Sequence, residues 1–230
     1  KGNTASDDHP PEQHLTCQRE SPAMSPLLPK QCVLVVDDSP DNIELLSEVL
    51  RDDYRNLKGA YDKIVSIEMA EAIGYNYFDT YFKKCADLLS DDGLMLLQYI
   101  TFPESRYEQY LRNTDFTQIY IFPGSCLLSN LEVMKSVHRT GDLVLADLET
   151  IGQHYATTLR LWRLNVEKNR EKIRREYSDK FLRKWIYYLC FCEAGFAERA
   201  INDVQVVFTR ANTRQYGDFH GSRAPYLDAL

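Results

Sequence analysis

The 230-residue chain lacks most of the features that would assign it quickly. No apolar run approaches the ~20 residues of a helical membrane span, and the first 30 residues carry no apolar signal-peptide core, so a soluble protein is expected. Positive charge is not in excess. Lys and Arg number 27 against 34 Asp and Glu, for a net charge of −7 and a pI of about 5.3, which argues against nucleic acid as a partner because that needs a basic footprint. The six cysteines, at positions 17, 32, 85, 126, 190 and 192, form no C-x-x-C pair. Neither a zinc site nor a disulfide framework is indicated, no metal is assigned, and a reduced, cytoplasmic protein is the simplest account. There is no internal repeat.

Residues 1–29 gather five prolines, Pro10, Pro11, Pro22, Pro26 and Pro29, among polar residues, the composition of a flexible tail. The chain starts at Lys1 rather than Met, as a fragment would. In "VLVVDDSPDN", residues 33–42, four apolar residues without alternation suit a strand buried on both faces of a parallel sheet. Ser39-Pro40 then suits a helix start, with Ile43, Leu45, Leu46, Val49 and Leu50 at helical spacing. Asp37 and Asp38 fall at the carboxyl end of that strand, where open α/β sheets bind ligands.

Downstream, Leu57 to Asp62 reads as a turn, and Ile64, Val65 and Ile67 as a buried strand. A helix over 77–89 puts Phe78, Phe82, Cys85 and Leu89 on one face and stops at Asp91-Asp92-Gly93. "LMLLQYI", residues 94–100, is another buried strand. Strands alternating with helices imply βαβ units and a parallel sheet. From Thr101 to Gly141 the pattern loosens into an aromatic-rich, lid-like segment with a short helix near 130–137. "DLVLADLE", 142–149, reads as a strand. A long helix follows over 154–177 with Tyr155, Leu159, Trp162, Val166 and Ile173 on one side, then a second over 181–196, then the closing strand "VQVVFTR".

Residues 30–51 resemble the start of a response-regulator receiver domain, in which an acidic pair helps hold Mg²⁺ beside a phosphorylated Asp. The rest of that pattern does not follow, so a buried strand with a solvated acidic end is the simpler reading. The blocks "YDKIVSIEMAEAIG", "YFDTYFKKCADLLSDDGLMLLQYIT", "YIFPGSCLLS", "IGQHYATTLRLWR" and "YYLCFCEAGFAERAINDVQVVFTR" occur in order over residues 53–210. Together they resemble the later part of the cyclopropane-fatty-acyl-phospholipid synthases, S-adenosylmethionine-dependent methyltransferases. The resemblance implies methyl transfer to the double bond of an unsaturated phospholipid acyl chain, then proton loss from the cation formed. It also implies a base held as bicarbonate by Glu71, Tyr155, the backbone of Ile100 and a His, whose position is taken here by Gln98. An amide donates and accepts hydrogen bonds but takes no proton.

Glu71 competes with a solvated acid at a strand end, and Tyr155 with plain helix packing. Tyr99, Tyr120 and Phe122 are candidates for an acyl pocket, against aromatic core packing. His154 reads as a surface residue. The cluster Lys168, Arg170, Lys172, Arg174 and Arg175 suits either anionic headgroups or a solvated helix face. The resemblance admits peripheral membrane contact at the inner face.

Such enzymes carry, upstream of the matched region, a glycine-rich turn and an acidic strand end for the cofactor. Neither is found here, so no cofactor-binding residue is assigned. The receiver-like strand and helix are expected to fill the vacant sheet position. The sequence is thus read as an α/β fold, an incomplete doubly wound, Rossmann-like methyltransferase sheet. Its expected parts are a tail (1–29), a receiver-like segment (30–52), a methyltransferase-like domain (53–210) and a C-terminal tail (211–230). The expected function is acyl-lipid methylation by a truncated, weakly active or inactive chain. The alternative is a non-catalytic signalling module.

Overall fold

The computed structural model describes residues 53–213 throughout and, before them, the backbone of strands β1 (His14–Gln18) and β2 (Val33–Asp37). Asp38, the helix expected over 43–50 and the tail beyond 213 lie outside the described residues. β1 corrects part of the flexible-tail reading: it pairs antiparallel with β2, His14 opposite Asp37, and that ladder gives its backbone the partners a proline-rich tail lacks.

Four more strands follow: β3 (Tyr61–Ile67), β4 (Leu89–Thr101), β5 (Leu143–Thr150) and β6 (Asn202–Arg210). The sheet order is β1-β2-β3-β4-β6-β5. β2, β3 and β4 are parallel, with Val33 opposite Lys63 and Asp37 opposite Ile67, so the receiver-like strand occupies the place beside β3. The sheet is mixed rather than parallel throughout. β6 enters at the carboxyl end of β4, Asn202 opposite Thr101, and therefore runs antiparallel to both β4 and β5.

Helix α1 (Phe78–Leu88) forms because Phe78, Tyr81, Phe82, Cys85 and Ala86 recur at helical spacing, and all are buried. The expected stop at Asp91-Asp92-Gly93 is absent: those residues lie within β4, where the register with β3 shifts. The helix ends instead where Arg210 donates to the carbonyls of Ala86 (2.7 Å) and Leu89 (2.6 Å), satisfying acceptors the helix cannot.

The segment expected to be irregular contains α2 (Glu104–Leu111), α3 (Phe116–Tyr120), opened by an Asp115/Gln118 capping box, and α4 (Asn130–Thr140). It is tied to the end of β4 by the bonds Phe102 N–H to Leu128 O (2.7 Å) and Leu128 N–H to Ile100 O (3.2 Å). The long helix breaks at Asn169 into α5 (Gly152–Lys168) and α6 (Arg170–Glu176), before α7 (Asp179–Ala197). Trp162 is not on the packed side of α5; it is 56% exposed. Arg163, ion-paired with Glu193 of α7 at 3.0 Å, takes the position between Leu159 and Val166.

Among the described residues each sheet face carries a core, and a third, smaller cluster of Tyr107, Tyr110 and Cys126 lies in the segment after β4. Leu97 and Tyr99 of β4 pack with α1 and α4, and Ile100 packs with Ala156, Leu159, Leu189 and Phe196 of α5 and α7. Strand alternation thereby turns Gln98 and Ile100 toward the α5 side and Tyr99 away from it.

Candidate active site

At the carboxyl end of β3 the chain turns sharply. Glu68 adopts φ 52°, a left-handed conformation rarely taken by a side chain of its size, and its N–H donates to the Gln98 carbonyl at 2.9 Å. A single helical turn, Ala70–Ala72, then carries Glu71, which is 8% exposed. Its Oε1 accepts from the Ile100 N–H at 2.5 Å, and its carbonyl accepts from Cys126 N–H at 2.7 Å. Glu71 is thereby bolted to β4 by its side chain and to the returning segment by its backbone.

Gln98 is held at both ends. Its Oε1 accepts from Gln205 Nε2 of β6 (2.8 Å), leaving Nε2 to donate to the Tyr155 hydroxyl (2.6 Å) and to Glu68 Oε1 (3.0 Å). Tyr155, in the first turn of α5 with its ring against Phe196, donates its hydroxyl to the same Glu68 oxygen. Burial and then the Glu68 charge push the Tyr155 phenol well above its ordinary range, so it is a donor, not a phenolate.

Asp203 of β6 completes the cluster. It sits opposite Ile100, is 0% exposed, and neither carboxyl oxygen has a hydrogen-bond donor. Burial, then the charges of Glu68 and Glu71, push its carboxyl up to about 9.

The structure thus brings together four residues singled out from the sequence, Glu71, Gln98, Ile100 and Tyr155. It does not bring Tyr99, Tyr120 and Phe122 to one wall. Tyr99 is fully buried on the other sheet face, its hydroxyl bonded to Asn130 (2.8 Å), while Tyr120 and Phe122 are about half exposed, Tyr120 beneath the Lys184 ammonium and Phe122 against Tyr188. His154 is exposed, and Arg174 of the basic cluster pairs with Asp179 at 2.6 Å. Among the described residues no group of three or more His, Cys, Asp and Glu is placed to hold a metal, and no helix is long and apolar enough to cross a membrane. Sequence reading missed Glu68, Asp203 and Gln205. The signal for the first two was there: acids placed at the end of, or inside, otherwise buried strands.

A family model described as mycolic acid cyclopropane synthetase matches residues 35–206. The chain belongs to that family. Among curated relatives of this cyclopropane synthetase family member is tuberculostearic acid methyltransferase UfaA1 of Mycobacterium tuberculosis, 36% identical over 145 residues, 63% of this chain and 34% of that protein. The cyclopropane-fatty-acyl-phospholipid synthase of Escherichia coli is 34% identical over 162 residues, 70% of this chain and 41% of that one. A sphingolipid C9-methyltransferase of Candida albicans is 34% identical over 149 residues, covering 62% and 29%. This family member therefore spans less than half the length of these relatives. The mycolic acid cyclopropane synthase CmaA1, solved with SAH and CTAB, superposes with a TM-score of 0.63 at 26% identity, covering 74% of this chain and 65% of that one. Cyclopropane synthase MmaA2 of Mycobacterium tuberculosis, at 23% identity, has the same fold, with a TM-score of 0.64 over 70% and 60% of the two chains.

The family is one of S-adenosylmethionine-dependent methyltransferases. The residues here fit the proton-handling part of such a site: polar groups converge at the carboxyl ends of β3 and β4. They do not fit the cofactor-anchoring part. β2 ends at Asp37, and the sequence that follows, Asp38-Ser39-Pro40-Asp41-Asn42, contains no glycine, the residue type that lets backbone approach a ligand closely. Bound bicarbonate does not fit the side chains as they stand either. The Gln98, Tyr155 and Ile100 donors already serve Glu68 and Glu71, and another anion would meet two carboxylates.

Proposed function

We propose that this chain carries the acyl-facing, proton-handling part of a lipid methyltransferase that methylates the double bond of an unsaturated phospholipid acyl chain. The observation carrying this reading is the convergence of Glu68, Glu71, Gln98 and Tyr155 at the carboxyl ends of two parallel strands. When bound, S-adenosylmethionine supplies a methyl from a sulfonium. The residues of this chain do the rest. Carboxylates close to the double bond stabilise positive charge that develops on it, an effect amplified where water is excluded. Gln98 and Tyr155 fix one of those carboxylates without competing as nucleophiles.

Loss of a proton from the added methyl, its electron pair bonding to the adjacent cationic carbon, closes a ring, whereas a hydride shift to that carbon before the proton is lost leaves a methylene; relatives named as a cyclopropane synthase and as a methyltransferase support a product of this class. The half-exposed Ile119, Tyr120 and Phe122, with Lys184 over the Tyr120 ring, support peripheral contact with a lipid surface, where rings with one wet end and a nearby cation are favoured.

The test is a fusion of residues 53–230 to the cofactor-binding half of the Escherichia coli relative, given vesicles of unsaturated phospholipid and the sulfonium donor. Mass analysis of the released acyl chains should show the added carbon. A folded, cofactor-binding fusion that gives no such product overturns the reading.

A further inference from the structure

Asp203 is the one group of the cluster whose chemistry is unexplained by packing. It is fully buried, both carboxyl oxygens lack a donor, and the groups that bear on it are Glu68 from the end of β3, Glu71 from the turn after it, and Tyr155 from α5. A buried carboxylate without donors is costly, whereas a neutral carboxyl needs only an acceptor for its own proton. Glu68 is the neighbouring carboxylate that bears most strongly on it. Its position is unusual, because the left-handed φ of 52° at Glu68 turns the side chain back over the end of β4 toward α5 and β6, and such strain persists only where neighbours hold it. Here they do: the Gln98 carbonyl fixes its N–H, and Gln98 Nε2 and the Tyr155 hydroxyl fix its Oε1.

We propose that Glu68 and Asp203 form a proton-sharing carboxyl pair beside the Tyr155 hydroxyl, and that this pair is the resident proton acceptor of the site. Two neighbouring acids, one of them fully buried, are favoured to hold one proton between them, which leaves a single negative charge for a second proton. Glu68, partly exposed, is the exchanging member. For its substrate the pair rests on the lipid-methylation reading. The methyl comes from a sulfonium donor and leaves a cationic carbon on the acyl chain. A C–H bond of the new methyl breaks, its electron pair forms the bond to the cationic carbon, and the proton passes to the Glu68 carboxylate. Asp203 keeps its own proton throughout, and no oxidant or reductant is consumed. Gln98 and Tyr155 act on this step as positioning residues.

The test uses the full chain and needs no turnover. Infrared difference spectra at neutral pH should show a protonated-carboxyl stretching band that shifts in heavy water, disappears in Asp203→Asn and persists in Asp79→Asn, a surface acid bound by Arg139. Glu68→Gln should lower the titration midpoint of that band by about one pH unit or more, since it removes the facing charge. Where Glu68→Gln fails to fold, Glu68→Gly, which suits the left-handed backbone, serves for the same comparison. Absence of the band from the folded wild type, its survival in Asp203→Asn, or a midpoint indifferent to position 68 overturns the pair. Failure of the methylation reading would appear instead as a folded fusion without methylated acyl product, and would leave this titration unchanged.

Discussion

The Tyr155 hydroxyl of α5 and the Gln98 amide of β4 lie 2.6 Å apart and both are directed at one oxygen of Glu68. Tyr155→Phe keeps the ring against Phe196 and deletes only the hydroxyl. The lost bond is to a charged, partly buried acceptor, so the expected cost is about 1.5–3 kcal/mol. Urea unfolding measures it. Stability equal to wild type would mean that the hydroxyl contributes nothing to holding Glu68.

Glu71 makes a different claim, about turnover. Its Oε1 holds the Ile100 N–H at 2.5 Å, a bond that a glutamine oxygen can also accept. Glu71→Gln in the fusion with a relative's cofactor-binding half should therefore fold normally. If its charge supports the proton step, turnover should fall by ~10² or more. Initial rates of acyl methylation decide it, and an unchanged rate removes Glu71 from the site.

Much of this was legible before the fold. Non-alternating apolar runs marked β2, β3 and β4, helical spacing marked α1 and α7, and the ordered blocks pointed to Glu71, Gln98, Ile100 and Tyr155. What was not legible depends on long-range packing. Asp91-Asp92-Gly93 has the chemistry of a turn, yet it lies within β4, between the residues Leu89 and Leu94 that pair with β3 on either side of a register shift. The direction of β6 follows from where α7 ends, and no local pattern encodes that. Trp162 reads as a core residue by spacing, but the Arg163–Glu193 pair rotates it outward. Asp203 and Glu68 lie 135 positions apart in the numbering, and only the sheet brings them to one place.

The junction between α5 and β6 is tight at Gly152. A Cβ there would stand 2.2 Å from the Asn202 side-chain oxygen and 2.9 Å from the Asp203 backbone nitrogen. Gly152→Ala should therefore displace the start of β6, at a cost of about 1–3 kcal/mol for overpacking. Thermal unfolding should register the loss. Because Asp203 moves with that strand, the protonated-carboxyl band should change in the same variant, and a protein with wild-type Tm and an unaltered band would refute the tight junction.

Stability should also depend on pH through Asp203. Its carboxyl is raised to about 9 in the folded chain, above the ordinary carboxylate range of the unfolded one. Between those values the folded state binds the extra proton, so stability falls as pH rises, by at most about 1.4 kcal/mol per pH unit for one group. Below the unfolded value the penalty is absent; above the folded value it is complete. Asp203→Asn, neutral at every pH and still able to donate to Glu68, should flatten that decline and be more stable than wild type near pH 8. Chemical denaturation from pH 5 to 8 tests the sign. A slope shared by variant and wild type would show that Asp203 is ionised in the fold as it is out of it.

The last expectation concerns the cofactor. This 230-residue chain by itself should bind S-adenosylmethionine weakly. The methionine carboxylate of such a ligand needs backbone N–H groups from a glycine turn, and its ribose needs an acidic strand end. In the slot beside β3 this chain places β2 instead, with Asp37 opposite Ile67 and Asp38 next in sequence. Carboxylates at the end of a strand and next to it in sequence supply no anion-binding N–H and carry the same sign of charge as the ligand carboxylate. Losing two or three polar anchors at roughly 1–3 kcal/mol each carries a micromolar ligand toward millimolar. Calorimetric titration with S-adenosylmethionine or its demethylated product measures this directly. A Kd in the low-micromolar range or tighter would mean that residues 30–52 bind the cofactor by other means, and the fusion used above would then be unnecessary.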